Sequence, residues 1–405
     1  MDNLASSQQA KIEELLTRGV ANIIPGKEEL KKLLESGKKL NIYLGIDPTA
    51  TNIHLGHAVP LRKLQEFAKL GHNVKFLIGD FTALIGDTSD KESERPILTS
   101  EQIEENFKTY KKQAEKIVDF SLHNVTVVRN SEWLSKLDFK KVVELAQQFD
   151  FGEFASRELI SNRLKNKKHV GLHEALYPVM QGYDSYFMDT DVQIGGTDQT
   201  FNMQAGRTLQ KKWRDKESFV LANKFLSGTD GKKMSKTGGN SIWLEEEASN
   251  MFGKVMSIDD GVIVEYFTLA TKLPMQKIYD IETRLSAGEH PMKIKKELAL
   301  EIVSEFHGKQ NAIQASDNFE RTVQNKELPD EIPSVTVSQK LFIVSDLLVE
   351  TGMASSKSEA KRLIEQGGVE IDNERIENPN QEIAIEDNIV IKVGKRKFVE
   401  VRKER

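Results

Sequence analysis

The sequence predicts an α/β fold: a doubly wound parallel sheet, followed by an α-helical domain and a small α+β domain. Three observations carry this. Short apolar, β-branched runs alternate with amphipathic segments through the first half, the pattern of parallel strands joined by crossover helices. From about residue 245 to 325 the chain is charged, keeps helical spacing and has no further strand signal. The last stretch reads as two helices followed by short strands. A chain of 405 residues is long enough for about two to three domains with full cores.

Asn41 to Ile46 is the first clear strand, and Asp47-Pro48-Thr49 ends it in a loop. Leu55 to Leu70 follows, with Leu55, Val59, Leu61, Leu64, Phe67 and Ala68 at helical spacing. Val74 to Ile78 and Val125 to Val128 read as buried strands, and helices are expected over 101–118, 138–148, 173–187 and 198–212. Ligands of such a sheet sit at the carboxyl ends of its strands. The expected boundaries are 1–240 for the sheet domain, with an inserted segment from about 100 to 190, then 241–325 for the helical domain, a linker over 326–338, and 339–405 for the small domain. The linker reading rests on Pro329 and Pro333 among acidic residues between Asn325 and Val337.

Composition excludes several classes. The net charge is −5, so RNA contact would need local basic patches. Without cysteine there is no disulfide, thiolate zinc site or cysteine nucleophile. The polar stretch Met1 to Leu16 lacks the apolar centre of a signal peptide, and no run approaches the length of a membrane span. A soluble cytoplasmic protein is expected.

The chemistry sits in four short stretches. His54-Leu55-Gly56-His57 lies where the first strand's loop enters its helix. A helix N-terminus there favours phosphate, and the two imidazoles, three apart, share one face of the first turn. Gly56 permits a close backbone approach. Ser227 to Asn240 is glycine-rich and includes Lys232, Lys233 and Lys236, charges suited to a departing pyrophosphate. Over 228–240 it reads as a loop. Taken singly, the histidine stretch is equally compatible with ordinary surface histidines, and most lysine runs of the second kind are solvated charge runs in linkers. Tyr177, Gln181 and Asp184 fall at i, i+4, i+7 on one helical face, a poor face for a core but apt for a small ligand with an ammonium and a second polar group. Gln193 to Gln199 reads as a strand entering the double glycine Gly195-Gly196, with Asp198 able to accept from ribose hydroxyls.

Together, in this order, the histidine and lysine motifs resemble the HIGH and KMSKS signatures of class I aminoacyl-tRNA synthetases, enzymes that form an adenylate from ATP. Over nearly its whole length the chain is similar to bacterial tyrosyl-tRNA synthetases, through Tyr43 to Thr49, His54 to His57, Tyr177 to Asp184, Gln193 to Gln199 and the lysine loop. The resemblance implies a Rossmann-like (HUP) catalytic domain and a set of roles. Tyr43 and Asp184 bind the substrate phenol. Tyr177, Gln181 and Asp87 hold its ammonium, and Gln199 lies near its carboxylate. Gly45, Asp47, Gly56, Gln193, Gly196 and Asp198 line the nucleotide, with Asp198 on the ribose. Thr49, His54, His57, Lys233 and Lys236 stabilise the transferring phosphates, and Lys91 and Arg95 assist pyrophosphate. ATP enters with Mg2+, and no protein-ligated metal is implied. The same resemblance implies L-tyrosine and tRNA(Tyr) as the other substrates, and a homodimer formed through the insertion. Three departures from the family pattern stand out: Thr237 in place of serine, Leu44 where part of the family has cysteine, and Thr88 and Asp90 where proline and glycine are usual. Asp90 puts an extra carboxylate beside Lys91.

The end of the chain is similar to the small RNA-binding domain shared by a small-subunit ribosomal protein and many bacterial tyrosyl enzymes. Its acidic and basic residues nearly cancel, so distribution matters: Lys357, Lys361 and Arg362 on one helix and Lys395, Arg396 and Lys397 at the tail form the expected cationic face. Rival readings are a tryptophanyl-tRNA synthetase, a non-catalytic RNA-binding relative, and a small H-x-G-H nucleotidylyltransferase. The Tyr43/Asp184 pair, the intact histidines and lysines, and the lysine loop with its RNA-binding tail argue against each in turn.

Overall fold

The computed structural model describes residues 2–49, 51–87, 98–235, 239–321, 332–385, 388–394 and 397–403. The chain divides into two compact units, the first covering 1–246 and 258–294, the second 247–257 and 295–405.

The first unit opens with α1 (Asp2–Thr17), β1 (Val20–Ile24), α2 (Lys27–Glu35), β2 (Asn41–Ile46), α3 (Leu55–Lys69) and β3 (Asn73–Ile78). It continues through α4 (Ser100–Ala114), β4 (Val125–Arg129), the short helices α5 (Ser131–Leu134), α6 (Phe139–Ala146), α7 (Phe151–Ser156) and α8 (Glu158–Lys165), then α9 (Leu172–Phe187), β5 (Val192–Gly196), α10 (Thr200–Arg214) and β6 (Phe219–Asn223). The six strands form one sheet in the order β1-β6-β5-β2-β3-β4. All neighbours are parallel except β1, which runs antiparallel on β6. This is the doubly wound sheet expected, with an antiparallel edge that was not. The centre of β2 is buried at Ile42, Tyr43 and Leu44, and α3 covers the sheet with Leu55, Leu61, Leu64 and Phe67, all fully buried. Burying each such side chain contributes about 1.5–3 kcal/mol.

Helix ends follow local chemistry. The α4 helix starts one residue before the expected 101, because Thr99 and Gln102 cap it reciprocally: Gln102 N donates to Thr99 Oγ1 at 3.3 Å and Thr99 N to Gln102 Oε1 at 2.9 Å. Asp138 caps α6 by accepting from Lys141 N at 2.7 Å. A buried pair starts α9. Arg163 donates to both Glu174 carboxylate oxygens at 2.7 and 2.9 Å, and Glu174 also accepts from Gly171 N at 2.7 Å.

After α11 (Ala248–Met256, second unit) come α12 (Ile263–Ala270) and α13 (Met275–Ser286) of the first unit. The second unit holds most of α14 (Pro291–His307), α15 (Lys309–Phe319), β7 (Ser334–Val337), β8 (Leu341–Ile343), α16 (Val344–Glu350), α17 (Lys357–Glu365), β9 (Val369–Ile371), β10 (Glu374–Arg375), β11 (Glu382–Ala384), β12 (Ile389–Val393) and β13 (Lys397–Lys403). A five-stranded sheet runs β10-β9-β12-β13-β7, with β8 and β11 paired separately. Leu347, Leu348, Ile364, Ile391 and Val401 form its core. One expectation is corrected: Ser334–Val337, read as the end of a linker, is a strand parallel to β13. Its alternation Ser-Val-Thr-Val buries Val337, and β-branched residues favour that placement. Among the described residues no helix is long and apolar enough to cross a membrane.

The open end of α12 is closed by side chains, Arg18 foremost, with Arg62 donating to Ala270 O at 3.0 Å. Arg18 donates to the carbonyls of Thr268 (2.8 Å) and Thr271 (2.7 Å), groups a helix C-terminus leaves unpaired, and to that of Leu273 (2.8 Å) just beyond. Arg18→Met should lower the unfolding free energy by about 2 kcal/mol or more, measured by guanidinium denaturation. Arg18→Lys should restore only part of it, since a single ammonium cannot match the fork.

Candidate active site

One cavity of about 950 Å³ opens at the carboxyl ends of β2, β3, β5 and β6, and residues from all four predicted stretches line it. Tyr43, Gly45, Asp47 and Thr49 enter from β2 and its loop, His54, Gly56 and His57 from the start of α3, Asp87 from beyond β3, and Tyr177, Gln181 and Asp184 from α9. Gly196, Asp198 and Gln199 follow β5, and Lys233 comes from the lysine loop.

At the start of α3 the two histidines are in contact, ring centroids 3.8 Å apart. His54 N donates to His57 Nδ1 at 3.3 Å, which leaves the His57 ring proton on Nε2. The first amides of α3 are largely engaged already. Leu55 N donates to Ile242 O and His57 N to His54 O, both at 2.9 Å. The expected row of open helix-start amides is thus reduced. Gly56 has a tighter reason than expected: a Cβ there would lie 3.0 Å from the His54 ring and 3.8 Å from Met234.

The lysine stretch is a hairpin at its base. Ser227 pairs with Lys233 as an isolated antiparallel bridge, with Gly228 N to Lys232 O at 2.6 Å and Met234 N to Leu226 O at 3.1 Å. Met234 is buried. Asn240 ties the hairpin internally, donating to Asp230 Oδ1 at 2.7 Å and to Lys233 O at 3.2 Å, and accepting from Ser235 N at 3.1 Å. Lys233 Nζ stands 3.3 Å from Asp198 Oδ2 and 3.9 Å above the Phe225 ring. Lys236, like Lys91 and Arg95, lies outside the described residues.

The floor of the cavity is polar and buried. Asp184 is 2 % exposed and accepts from Trp133 Nε1 at 2.7 Å and Asn130 Nδ2 at 3.1 Å. Burial pushes its carboxyl up to about 8, against the pull of those two donors. Burial also raises the Tyr43 phenol, with the Asp184 charge adding to it and the Gln181 amide opposing. Tyr177 OH donates to Asp47 Oδ2 at 2.8 Å, and Thr82 Oγ1 to Asp47 Oδ1 at 2.8 Å. Gln199 Nε2 donates to Asp87 Oδ2 at 2.9 Å. Gln193 does not line the cavity. It is fully buried and accepts from Tyr43 OH at 3.0 Å while donating to Met203 O at 2.8 Å.

Asn130, Trp133, Thr82 and Asn202 were not anticipated. Asn130 and Trp133 hold Asp184, Thr82 holds Asp47, and Asn202 Nδ2 reaches Asp87 Oδ2 at 3.4 Å. One signal was available: Asn130 directly follows the carboxyl end of β4, where ligand-facing residues collect.

In the small domain Lys357, Lys361, Arg362 and Lys397 are exposed, and Lys357 pairs with Asp346 at 2.7 Å. Glu359 sits in the same field. Its carboxyl is held low chiefly by the Ser355 hydroxyl and N–H, and more weakly by Lys397 and Arg362. Lys395 and Arg396 lie outside the described residues.

A parallel sheet whose cavity takes a histidine pair from one loop and a lysine hairpin from another has class I synthetase architecture, and the family model "tRNA synthetases class I (W and Y)" matches residues 35–324. A second, "Tyrosine--tRNA ligase SYY-like C-terminal domain", matches 324–401. The tyrosine--tRNA ligase of Thermotoga maritima is 43% identical over 400 residues, covering 98% of each chain. That of Moorella thermoacetica is 41% identical over 389 residues, covering 95% of this chain and 94% of its own. Among solved structures, a C-terminally truncated mitochondrial tyrosyl-tRNA synthetase from Coccidioides posadasii shares the fold at a TM-score of 0.63 and 22% identity, over 78% of this chain and 96% of its own. The chain belongs to the tyrosine--tRNA ligase family of class I synthetases.

The raised Asp184 carboxyl has a consequence for stability. Between the ordinary value of 3.8 and about 8, the folded protein keeps a proton that the unfolded chain has released. Unfolding is therefore favoured by this group as pH rises through that window. Thermal midpoints across the window should fall less steeply for Asp184→Asn than for the parent. Parallel curves would mean that Asp184 is ionised in the folded state throughout.

Proposed function

We propose that this chain activates L-tyrosine with ATP and then esterifies tRNA(Tyr). The observation that carries the reading is the single cavity that joins the His54/His57 pair, Lys233 and Asp198 to the buried floor of Tyr43 and Asp184. The floor would take the substrate phenol, which both donates and accepts. Asp87, Tyr177 and Gln181 would hold the ammonium, and Gln199, donating to Asp87, the region of the carboxylate. Gly45, Asp47, Gly56, Gly196 and Asp198 would line the nucleotide. A Cβ on Gly196 would come within 2.5 Å of Asp198 Oδ1, so glycine keeps that carboxylate accessible to a ribose. Gln193 would act through Tyr43, by fixing its hydroxyl.

In the first step a carboxylate oxygen of tyrosine forms a bond to the α-phosphorus. The bond from that phosphorus to the bridging oxygen breaks, and pyrophosphate leaves with the electron pair. Mg2+ bound to the triphosphate would offset part of its charge. Thr49, His54, His57 and Lys233 would donate to the phosphates as charge builds, together with Lys236, Lys91 and Arg95. No side chain needs to act as nucleophile, because positioning and preorganised donors suffice. In the second step a ribose hydroxyl of the terminal adenosine attacks the activated carbonyl and gives up its proton; the bond from that carbon to the phosphate oxygen breaks, and AMP leaves with the electron pair. The basic side chains of the small domain, Lys357, Lys361, Arg362 and Lys395 to Lys397, would contact RNA phosphates. A homodimer is supported by apolar exposure: Phe139, Phe151, Leu164, Leu172 and Phe187, all in the inserted segment, are more than two-fifths exposed. A cytoplasmic location is consistent with tRNA as substrate.

Pyrophosphate exchange tests the substrate. Of the standard amino acids, only tyrosine should support exchange of labelled pyrophosphate into ATP at a high rate; equal exchange with tryptophan would exclude the reading. A second measurement addresses the phosphate donors. His54→Ala should lower kcat for adenylate formation by about 10²-fold or more, while the dissociation constant for tyrosine barely moves.

A further inference from the structure

Ser227 opens the lysine hairpin, and both of its backbone polar groups are taken by consecutive side chains of α12. Its N–H donates to Glu265 Oε1 at 2.7 Å, and its carbonyl accepts from the Tyr266 hydroxyl at 2.6 Å. Tyr266 is fully buried, so a hydroxyl without a partner there would be costly. Directly across the hairpin, Ser227 is the bridge partner of Lys233. The grip on Ser227 therefore sets the backbone that presents Lys233 to the cavity. The far end of α12 is itself held by Arg18 through three carbonyls. A helix held by Arg18 near its C-terminal end thus grips the bridge partner of Lys233.

We propose that Glu265 and Tyr266 are positioning residues for adenylate formation, holding the base of the lysine hairpin so that Lys233 meets the polyphosphate. This rests on the reading of Lys233 as a phosphate-binding cation. Neither side chain lines the cavity, so they act only through the hairpin. The reach of a lysine is long, but its transition-state contribution depends on placement: a donor displaced by about 1 Å can lose on the order of 10²-fold in rate.

The test uses the full chain and single-turnover adenylate formation. Tyr266→Phe keeps the ring in the core and deletes the hydroxyl. It should lower the rate constant about tenfold, while tyrosine affinity by equilibrium dialysis stays within about twofold. That affinity also reports that the variant is folded. Glu265→Gln keeps an accepting oxygen and should recover most of the rate that Glu265→Ala loses. In a Lys233→Ala background, Tyr266→Phe should have less than about a twofold effect, because the group it positions is gone. An unchanged rate in Tyr266→Phe, or the same full loss with and without Lys233, would overturn the inference while leaving Lys233's own role intact. If Lys233→Ala alone loses no rate, the phosphate reading fails and the inference fails with it.

Discussion

Two backbone hydrogen bonds between residues 53–55 and 242–244 hold the halves of the site together: Leu55 N to Ile242 O and Leu244 N to Ile53 O, both at 2.9 Å. His54 and Trp243 form the bridge between them, with ring centroids 5.6 Å apart. The histidine motif and the exit of the lysine stretch are far apart in the chain. Once spliced, the exit of the hairpin is tied to the histidine segment and its entrance, at Ser227, to Glu265 and Tyr266 of α12. Lys116 reinforces the splice from α4 by donating to Leu244 O at 3.2 Å. In the proposed roles, two groups from distant segments would act on one polyphosphate only if the scaffold sets their separation, and this splice ties the two segments together.

The cavity keeps its carboxylates partnered. Asp47 has Thr82 and Tyr177, Asp87 has Gln199 and Asn202, Asp184 has Asn130 and Trp133, and Asp198 has Lys233. Four acidic groups facing one cavity would otherwise repel one another and resist burial. The donors differ in kind, and that difference sorts the proposed roles. Asp184 has rigid, buried, neutral donors that occupy one side of each oxygen and leave acceptor capacity for a phenol. Asp198 has a half-exposed lysine amine on a hairpin, a partner that a ligand can displace.

Much of this was legible in the sequence, for physical reasons that also explain the failures. The strands β2, β3 and β4 announce themselves as β-branched runs, and the face of Tyr177, Gln181 and Asp184 follows from helical period alone. By contrast β1, with Asn22 in its middle and only Ile23 buried, shows no clear alternation. β6 is buried at every position, and periodicity cannot distinguish such a run. Gln193 was assigned to the nucleotide by its neighbours, yet it is the Cα partner of Tyr43. Register, which no local pattern contains, turns its amide toward that hydroxyl. Trp133 and Asn130 lie 51 and 54 residues from the carboxylate they hold, a relation that only tertiary packing creates. The prolines at 329 and 333 pointed to a linker, but the β-branched residues after them pair with β13, and packing overrode the punctuation.

The pairing of Lys233 with Asp198 joins two groups that would serve opposite ends of a nucleotide, one the phosphates and the other the ribose. The pair is partly exposed, with side-chain exposures of 42% and 23%, and pairs of that kind contribute about 0–1 kcal/mol. A polyphosphate offers Lys233 several formal charges in place of one, and ribose hydroxyls offer Asp198 donors in place of the ammonium. Breaking the pair for such contacts would therefore cost little at the outset. The ring of Phe225, 3.9 Å below Nζ, keeps the lysine over the cavity mouth while it is paired. In the proposed roles, the ion pair would hold the cation beside the ribose carboxylate without a contact strong enough to oppose ATP.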